Sequence, residues 1–127
     1  MADVGIQQVI QSGLRLGRLY GAMNGPLTAH AGGGQANAVP LKSLVNDVAT
    51  VASANDSLKL PVCEAGRVVI MLNNGANAAQ VFSDESTGVD IDSTAGSTGV
   101  SVASSHVAIF VGAATGTLWS AISVAML

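Results

Sequence analysis

Charged residues are scarce in this sequence of 127 residues. Asp, Glu, Lys and Arg make up 10% of the chain, against roughly a quarter in an average soluble domain. Much of the surface must therefore consist of small neutral residues, and such a surface does little to keep copies of a protein apart. The composition favours a subunit that works in contact with other subunits, with a low-charge soluble monomer as the alternative.

The few charges are unevenly distributed along the chain. Three cations outweigh Asp3 in residues 1–46, giving a net charge of +2, whereas seven carboxylates outweigh two cations in residues 47–127, giving −5. Three cations spread over more than forty residues fall far short of the dense basic patch that binds a phosphate backbone. We therefore expect no nucleic-acid partner.

Cysteine and aromatic residues are also rare. The single Cys63 excludes an intrachain disulfide and a cysteine-based zinc site, and the chain holds one Trp, one Tyr and two Phe. The N-terminus lacks the basic and apolar regions of a signal peptide, and no apolar run reaches the roughly 18 residues that span a bilayer. We expect assembly in the cytoplasm and no membrane partner.

The groups that catalysis requires are thinly supplied. His30 lies in a glycine-rich stretch, and His106 lies at a predicted strand start after two serines. A small hydrolase using His106 is the weakest alternative, because the chain has no G-x-S-x-G elbow. Asp90 and Asp92 share one face of a predicted strand, but their spacing does not match a calcium loop, which favours a solvated acidic turn. We predict no enzymatic activity, no cofactor and no metal.

Residues 1–43 are predicted to form an N-terminal arm and a linker. In residues 3–23 the apolar positions recur at mixed spacings and Gly13, Gly17 and Gly21 interrupt them, which favours an extended arm over a helix. Residues 24–40 hold a Gly-Gly-Gly run and two prolines, which favour a long linker. The arm is predicted to reach another subunit, with solvated charges on a flexible terminus as the alternative. Its predicted contact residues are Leu14, Arg15, Arg18, Leu19 and Tyr20.

Residues 44–127 are predicted to form an all-β body. Short runs rich in β-branched residues alternate with turn residues, and eight strands at this spacing predict an antiparallel β-sandwich or jelly-roll-like body. Asn74-Gly75 predicts a hairpin between Val68–Leu72 and Ala79–Phe82. The predicted strands are Asp47–Val51, Ser57–Leu60, Val68–Asn73, Ala79–Phe82, Val89–Ile91, Gly99–Val102, Val107–Val111 and Leu118–Val124.

Two of these strands are apolar on both faces. Val68–Leu72 and Val107–Val111 are therefore covered twice within the domain or once by a neighbouring subunit. Residues 93–127 hold no Asp, Glu, Lys or Arg and are predicted to be buried in the sandwich or at a trimer axis, with a docked C-terminus. We expect a homo-oligomer, with a trimer favoured and a dimer possible. The predicted self-association residues are Val69, Met71, Ile109 and Trp119.

Three segments of the sequence, followed by an acidic turn and a Thr-Gly-Val segment, resemble a known group of proteins, the small virion structural proteins of tailed phages. They are LTAHAGGG (27–34), TVASANDSLKLP (50–61) and GRVVIMLNNGANAAQVF (66–82), and the similarity covers roughly residues 27–111. The resemblance implies a non-catalytic capsid decoration, or cement, protein that bridges major capsid protein subunits on the head surface. The alternative is a tail or fibre-associated subunit that binds host glycan through the Asn-rich turn and Trp119.

Overall fold

The computed structural model describes residues 23–127, and all of their regular structure is β-strand. None of the described residues forms a helix that is long and apolar enough to cross a membrane. The predicted arm contacts Leu14, Arg15, Arg18, Leu19 and Tyr20 lie outside the described residues. The strands are β1 (Met23–Thr28), β2 (Val39–Pro40), β3 (Val45–Thr50), β4 (Ser57–Lys59), β5 (Val68–Asn73), β6 (Ala79–Phe82), β7 (Asp90–Ile91), β8 (Thr94–Ala95), β9 (Val100–Val102), β10 (His106–Ala114) and β11 (Leu118–Ala125).

The strands form two sheets of mixed direction. One sheet has the order β1-β3-β5-β10-β11-β7-β8 and the other has the order β2-β4-β6-β9. The prediction of an all-β body is confirmed, but the sheets are not purely antiparallel, because β1–β3, β3–β5, β2–β4, β4–β6 and β7–β11 pair in parallel. The first six strands alternate between the two sheets. A chain that returns through the opposite layer arrives beside its earlier strand in the same direction, whereas a tight turn makes antiparallel neighbours.

The predicted hairpin between β5 and β6 is wrong. β5 lies in the seven-stranded sheet and β6 in the four-stranded sheet, so the residues between them carry the chain across to the other layer. Asn73 braces this crossing from a fully buried position. Its side-chain amide donates to the carbonyl oxygens of Asn77 and Val102, both at 3.0 Å, and its Oδ1 accepts the backbone N–H of Gly75 at 3.0 Å. The Asn-rich segment is therefore a hydrogen-bonded connection between sheets.

Residues 23–43 belong to the β body, which corrects the predicted linker and the boundary after residue 43. β1 pairs with β3, and β2 pairs with β4. Between β1 and β2, the glycine-rich loop is anchored by the buried carboxylate of Asp56, which accepts the backbone N–H groups of Gly32 and Ser53 at 3.2 and 3.0 Å. All three glycines of the run 32–34 have positive φ, a conformation that other residues rarely adopt. The run therefore builds a specific loop.

One hydrophobic core lies between the inner faces of the two sheets. Its largest side chains are Trp119 and Phe110, both 0% exposed. Val69 and Met71 of β5 and Trp119 of β11 belong to this core, so the prediction that these three residues contact another copy is wrong. They turn inward because side chains alternate along a strand, and the other apolar side of β5 faces outward. Ile109 is the one predicted self-association residue that lies outside the core.

Candidate assembly surfaces

The seven-stranded sheet has an outer face whose apolar side chains are exposed or partly exposed within the described residues. Alternation along β5 places Val68, Ile70 and Leu72 on this face, opposite the core. Val68 is 36% exposed, and its partner Val111 on β10 is 38% exposed. Within the described residues, one apolar side of β5 and of β10 is therefore buried in the core. The other apolar side of each strand lies at the surface.

The strand register lines up apolar side chains across this outer face. Five residues from five successive strands form one row, which we call the central row: Met23, Val45, Ile70, Ile109 and Ile122. Side chains directly opposite each other on adjacent strands have Cβ atoms about 5 Å apart and contact each other. Met23 and Ile122, at the ends of the row, are 54% and 61% exposed. The central row is a continuous apolar strip across most of the sheet.

A second row lies beside the central row, and one of its four residues is charged. It consists of Asp47, Leu72, Val107 and Val124 on β3, β5, β10 and β11. Asp47 stands at the β3 end, where its Oδ1 accepts a hydrogen bond from the side-chain amide of Asn74 at 2.8 Å. Contiguous apolar surface with a polar rim marks an interaction site more often than chance exposure does.

Cations near the outer face are few and mostly paired. Lys42 and Arg67 line an open groove of about 370 Å³ beside Val68, at one end of the outer face. Arg67 Nη1 lies 3.7 Å from a carboxylate oxygen of Glu64, three residues earlier in the chain. The remaining cation of the described residues, Lys59, contacts Glu85 at 3.4 Å. The outer face therefore offers a partner apolar contact with little net charge.

The C-terminal half of β11 is exposed on both faces. Ile122 is 61% and Val124 55% exposed on the outer side, and Ser123 and Ala125 are exposed on the inner side. Leu127 is fully exposed. The backbone of the C-terminus is held against β10, where Met126 N–H donates to the carbonyl oxygen of Ser105 at 2.8 Å, but within the described residues the side chains of Val124, Ala125 and Leu127 are exposed and not buried as the sequence predicted.

The structure does not bring together the groups that the weakest alternative, a small hydrolase using His106, would need. His106 Nδ1 lies 3.0 Å from the carbonyl oxygen of Ser104, while the Ser104 hydroxyl donates to the carbonyl oxygen of Gly75 at 2.6 Å. Ring and hydroxyl therefore do not form a nucleophile and base pair. In residues 23–127, no group of three or more His, Cys, Asp and Glu side chains is placed to hold a metal ion. Asp92 lies just after the end of β7, with a φ of 52°, and not on the strand that the sequence predicted for it; its carboxylate accepts the backbone N–H of Ala121 at 3.2 Å.

The residues considered for glycan binding are committed to contacts within the chain. Trp119 and Asn73 are both 0% exposed. The side-chain amide of Asn77 donates to the carbonyl oxygens of Val51 and Ala52 at 2.9 and 3.0 Å. The third asparagine of the turn, Asn74, is exposed, and its side-chain amide donates to Asp47 Oδ1 at 2.8 Å. These four residues therefore present no exposed aromatic ring on which a sugar could stack.

No protein-family model, curated protein or solved structure matches this chain. The resemblance to small phage virion proteins stays a prediction from the sequence segments alone. In the structure, residues 27–34 hold the end of β1 and the Asp56-anchored loop, residues 50–61 hold β4, and residues 66–82 hold β5, the crossing and β6. These segments connect the two sheets, so the resemblance concerns the scaffold of the body.

Proposed function

We propose that this chain is a non-enzymatic virion structural protein of a tailed phage, of the head decoration or cement type. It stabilises the head by bridging major capsid protein subunits on the capsid surface, and it is assembled in the host cytoplasm without a nucleic-acid or membrane partner. The observation that carries the assembly role is the central row from Met23 to Ile122, which is exposed at both ends and partly exposed between them. The three segments that resemble phage virion proteins supply the assignment to a phage.

The outer face supports this proposal through the free energy of burying its apolar side chains. Complete burial of one Val, Ile or Met side chain is worth about 1.5–3 kcal/mol. Met23, Ile122 and Val124 are each more than half exposed, and Val68 and Val111 are each more than a third exposed. Covering these five side chains on one copy contributes several kilocalories per mole to the free energy of binding, before the cost of association is subtracted. The low charge of the face leaves little ionic hydration to remove.

The β body, which we propose to class as a β-sandwich of mixed sheets, holds this face as a preformed surface. The major capsid protein is the occupant that we propose for it. The residues proposed to contact the same partner from the N-terminal segment lie outside the described residues, and they are Leu14, Arg15, Arg18, Leu19 and Tyr20. Ile109 contributes to the outer face from its centre.

Substitution of one outer-face residue tests the proposal. Val111→Lys places an ammonium group on the face at a position exposed enough for the folded chain to accept it. Burial of that unpaired charge against the capsid is costly, so we expect binding to heads that lack this protein to weaken at least about tenfold. Co-sedimentation of purified protein with such heads measures the binding.

Ser101→Lys is the matched control, because Ser101 is exposed on β9 of the other sheet. Equal binding by both lysine variants and the unmodified chain contradicts the proposed use of the outer face. Antibody labelling of intact virions locates the protein independently. Label confined to the tail or its fibres contradicts the head assignment and favours the alternative location.

A further inference from the structure

The C-terminal half of β11 has an open hydrogen-bonding edge. β11 pairs with β10 along its whole length, but it pairs with β7 only at Leu118 and Trp119. Beyond Trp119, the backbone N–H of Ala121 is taken by Asp92 Oδ1. No described residue pairs with the edge that continues past Ala121 to Ala125.

The direction of each backbone group on this edge follows from the hydrogen bonds on either side of the strand. Met126 N–H donates to the carbonyl oxygen of Ser105, on the β10 side, and the carbonyl oxygen of Trp119 accepts from Asp92 N–H, on the β7 side. Because backbone direction alternates along a strand, Ser123 and Ala125 share the β7 side with Trp119. Their N–H and C=O groups therefore point along the sheet, away from β10, with no described partner.

We propose that the open edge of β11 pairs with the same edge of a second copy of this chain, antiparallel about a two-fold axis at Ser123. Ser123 then exchanges two backbone hydrogen bonds with Ser123 of the second copy. Ala125 N–H of each copy donates to the free carbonyl oxygen of Ala121 in the other. The pairing joins the two seven-stranded sheets into one continuous sheet.

The sequence of the edge fits a second copy because the two-fold axis makes it complementary to itself. Ile122 comes to lie opposite Val124 of the other copy on the outer face. On the inner face Ser123 lies opposite Ser123, and Ala121 lies opposite Ala125. Apolar residues face apolar residues, small residues face small residues, and no charge is repeated across the axis. A self-complementary patch is what a two-fold interface requires.

The edge also lacks the features that keep strand edges apart. Exposed edges are usually protected by charged side chains, proline or a bulge. Ser120–Met126 contain no charged residue and no proline, and the register of β11 against β10 is regular from Trp119 to Ala125. Asp92 ends the free stretch on one side by holding Ala121 N–H. The free stretch is therefore short and has defined limits.

The two-fold pairing selects a dimer from the two oligomers considered from the sequence. It also places both outer faces on the same side of the joined sheet, because paired residues in an antiparallel ladder share a face. The central row of one copy, which ends at Ile122, then continues into the other copy. This inference goes beyond the proposed function, since the pairing forms in solution whether or not the protein is part of a virion.

A cysteine crosslink in the full chain tests the pairing directly. Directly paired residues in the proposed ladder have Cα atoms about 5.5 Å apart, within the range that a disulfide spans. Ser123→Cys treated with diamide is expected to give a covalent dimer, while Ser101→Cys, on exposed β9, is not. The native Cys63 is 1% exposed and does not compete. Equal amounts of covalent dimer from both variants overturn the proposal.

Reversible association provides a second, independent readout. Ser123→Lys places two ammonium groups opposite each other at the axis, so we expect its dimer dissociation constant to rise at least about tenfold above that of Ser101→Lys. Analytical ultracentrifugation measures both, and the thermal unfolding midpoint shows that each variant is folded. An unmodified chain that stays monomeric at every soluble concentration overturns the pairing. The pairing is also overturned if Ser123→Lys weakens the dimer no more than Ser101→Lys does. The dimer would then form through another surface, for example through residues 1–22.

Discussion

Asn73 shows how a single buried polar residue directs the path of the chain. It ends β5, and its side-chain amide donates to the carbonyl oxygen of Asn77, within the crossing to β6, and to that of Val102 on β9. Asn74-Gly75 was predicted to form the turn of a hairpin, yet Asn73, Asn74 and Asn77 all have negative φ. Their side chains act by hydrogen bonding, a role that depends on the distant β9 and that local sequence does not reveal.

Removal of the Asn73 side chain tests this role. Asn73→Ala leaves buried carbonyl oxygens without a donor and the Gly75 N–H without its acceptor, so we expect the free energy of unfolding to fall by about 3 kcal/mol. Urea unfolding followed by circular dichroism measures the loss. Asn74→Ala is the control, because Asn74 is exposed and its side chain makes one surface hydrogen bond. Equal losses from the two variants would mean that Asn73 does not brace the crossing.

Residue by residue, the sequence identifies apolar strands but not which side of each strand meets the core. Val69 and Met71 were assigned to self-association, and the structure buries both. Because β5 is apolar at every position from Val68 to Leu72, alternation assigns its residues to two faces but does not show which face is buried in the core. The pairing of Ile70 with Val45 and Ile109 settles the outer face, and this information exists only once distant strands are aligned.

At the scale of elements, the positions of strands follow from the sequence better than their pairing does. All eight predicted strands have counterparts among β3–β7 and β9–β11, with ends shifted by a few residues. The segments β1, β2 and β8 were missed, because two of them are two residues long and β1 contains Gly25-Pro26. Sheet membership was not predicted, since alternation between layers joins strands that are 16 or more residues apart in the chain.

The two faces of β11 provide a test at this scale. Trp119 fills the core and Ile122 lies on the outer face, three residues later on the same strand. We expect Trp119→Ala to lower the free energy of unfolding by about 4 kcal/mol and Ile122→Ala to lower it by less than about 1 kcal/mol. Thermal or urea unfolding measures both, at a concentration where the chain is monomeric. A cost for Ile122→Ala as large as that for Trp119→Ala would mean that the outer face is covered within one chain.

At the scale of the whole molecule, the two proposed contacts, one through the open edge of β11 and one through the outer face, strengthen each other. The proposed pairing at β11 sets two outer faces side by side, and a dimer that contacts a shell through both faces dissociates more slowly than a single copy. Low charge allows both contacts, because neither needs extensive ionic desolvation. The open edge was not foreseen from the sequence, although the charge-free stretch from Ser93 pointed to self-association in this region. Whether an edge is free depends on where β7 stops pairing with β11.

Cryo-electron microscopy of the virion tests the central claim most directly, because it shows location, copy number and orientation together. The expected result is pairs of β bodies on the outer surface of the head, with the central row from Met23 to Ile122 turned toward the major capsid protein. The same map shows which subunit Arg15 and Arg18 approach. Copies found only in the tail, or an outer face turned toward solvent on the head, would contradict the proposed function.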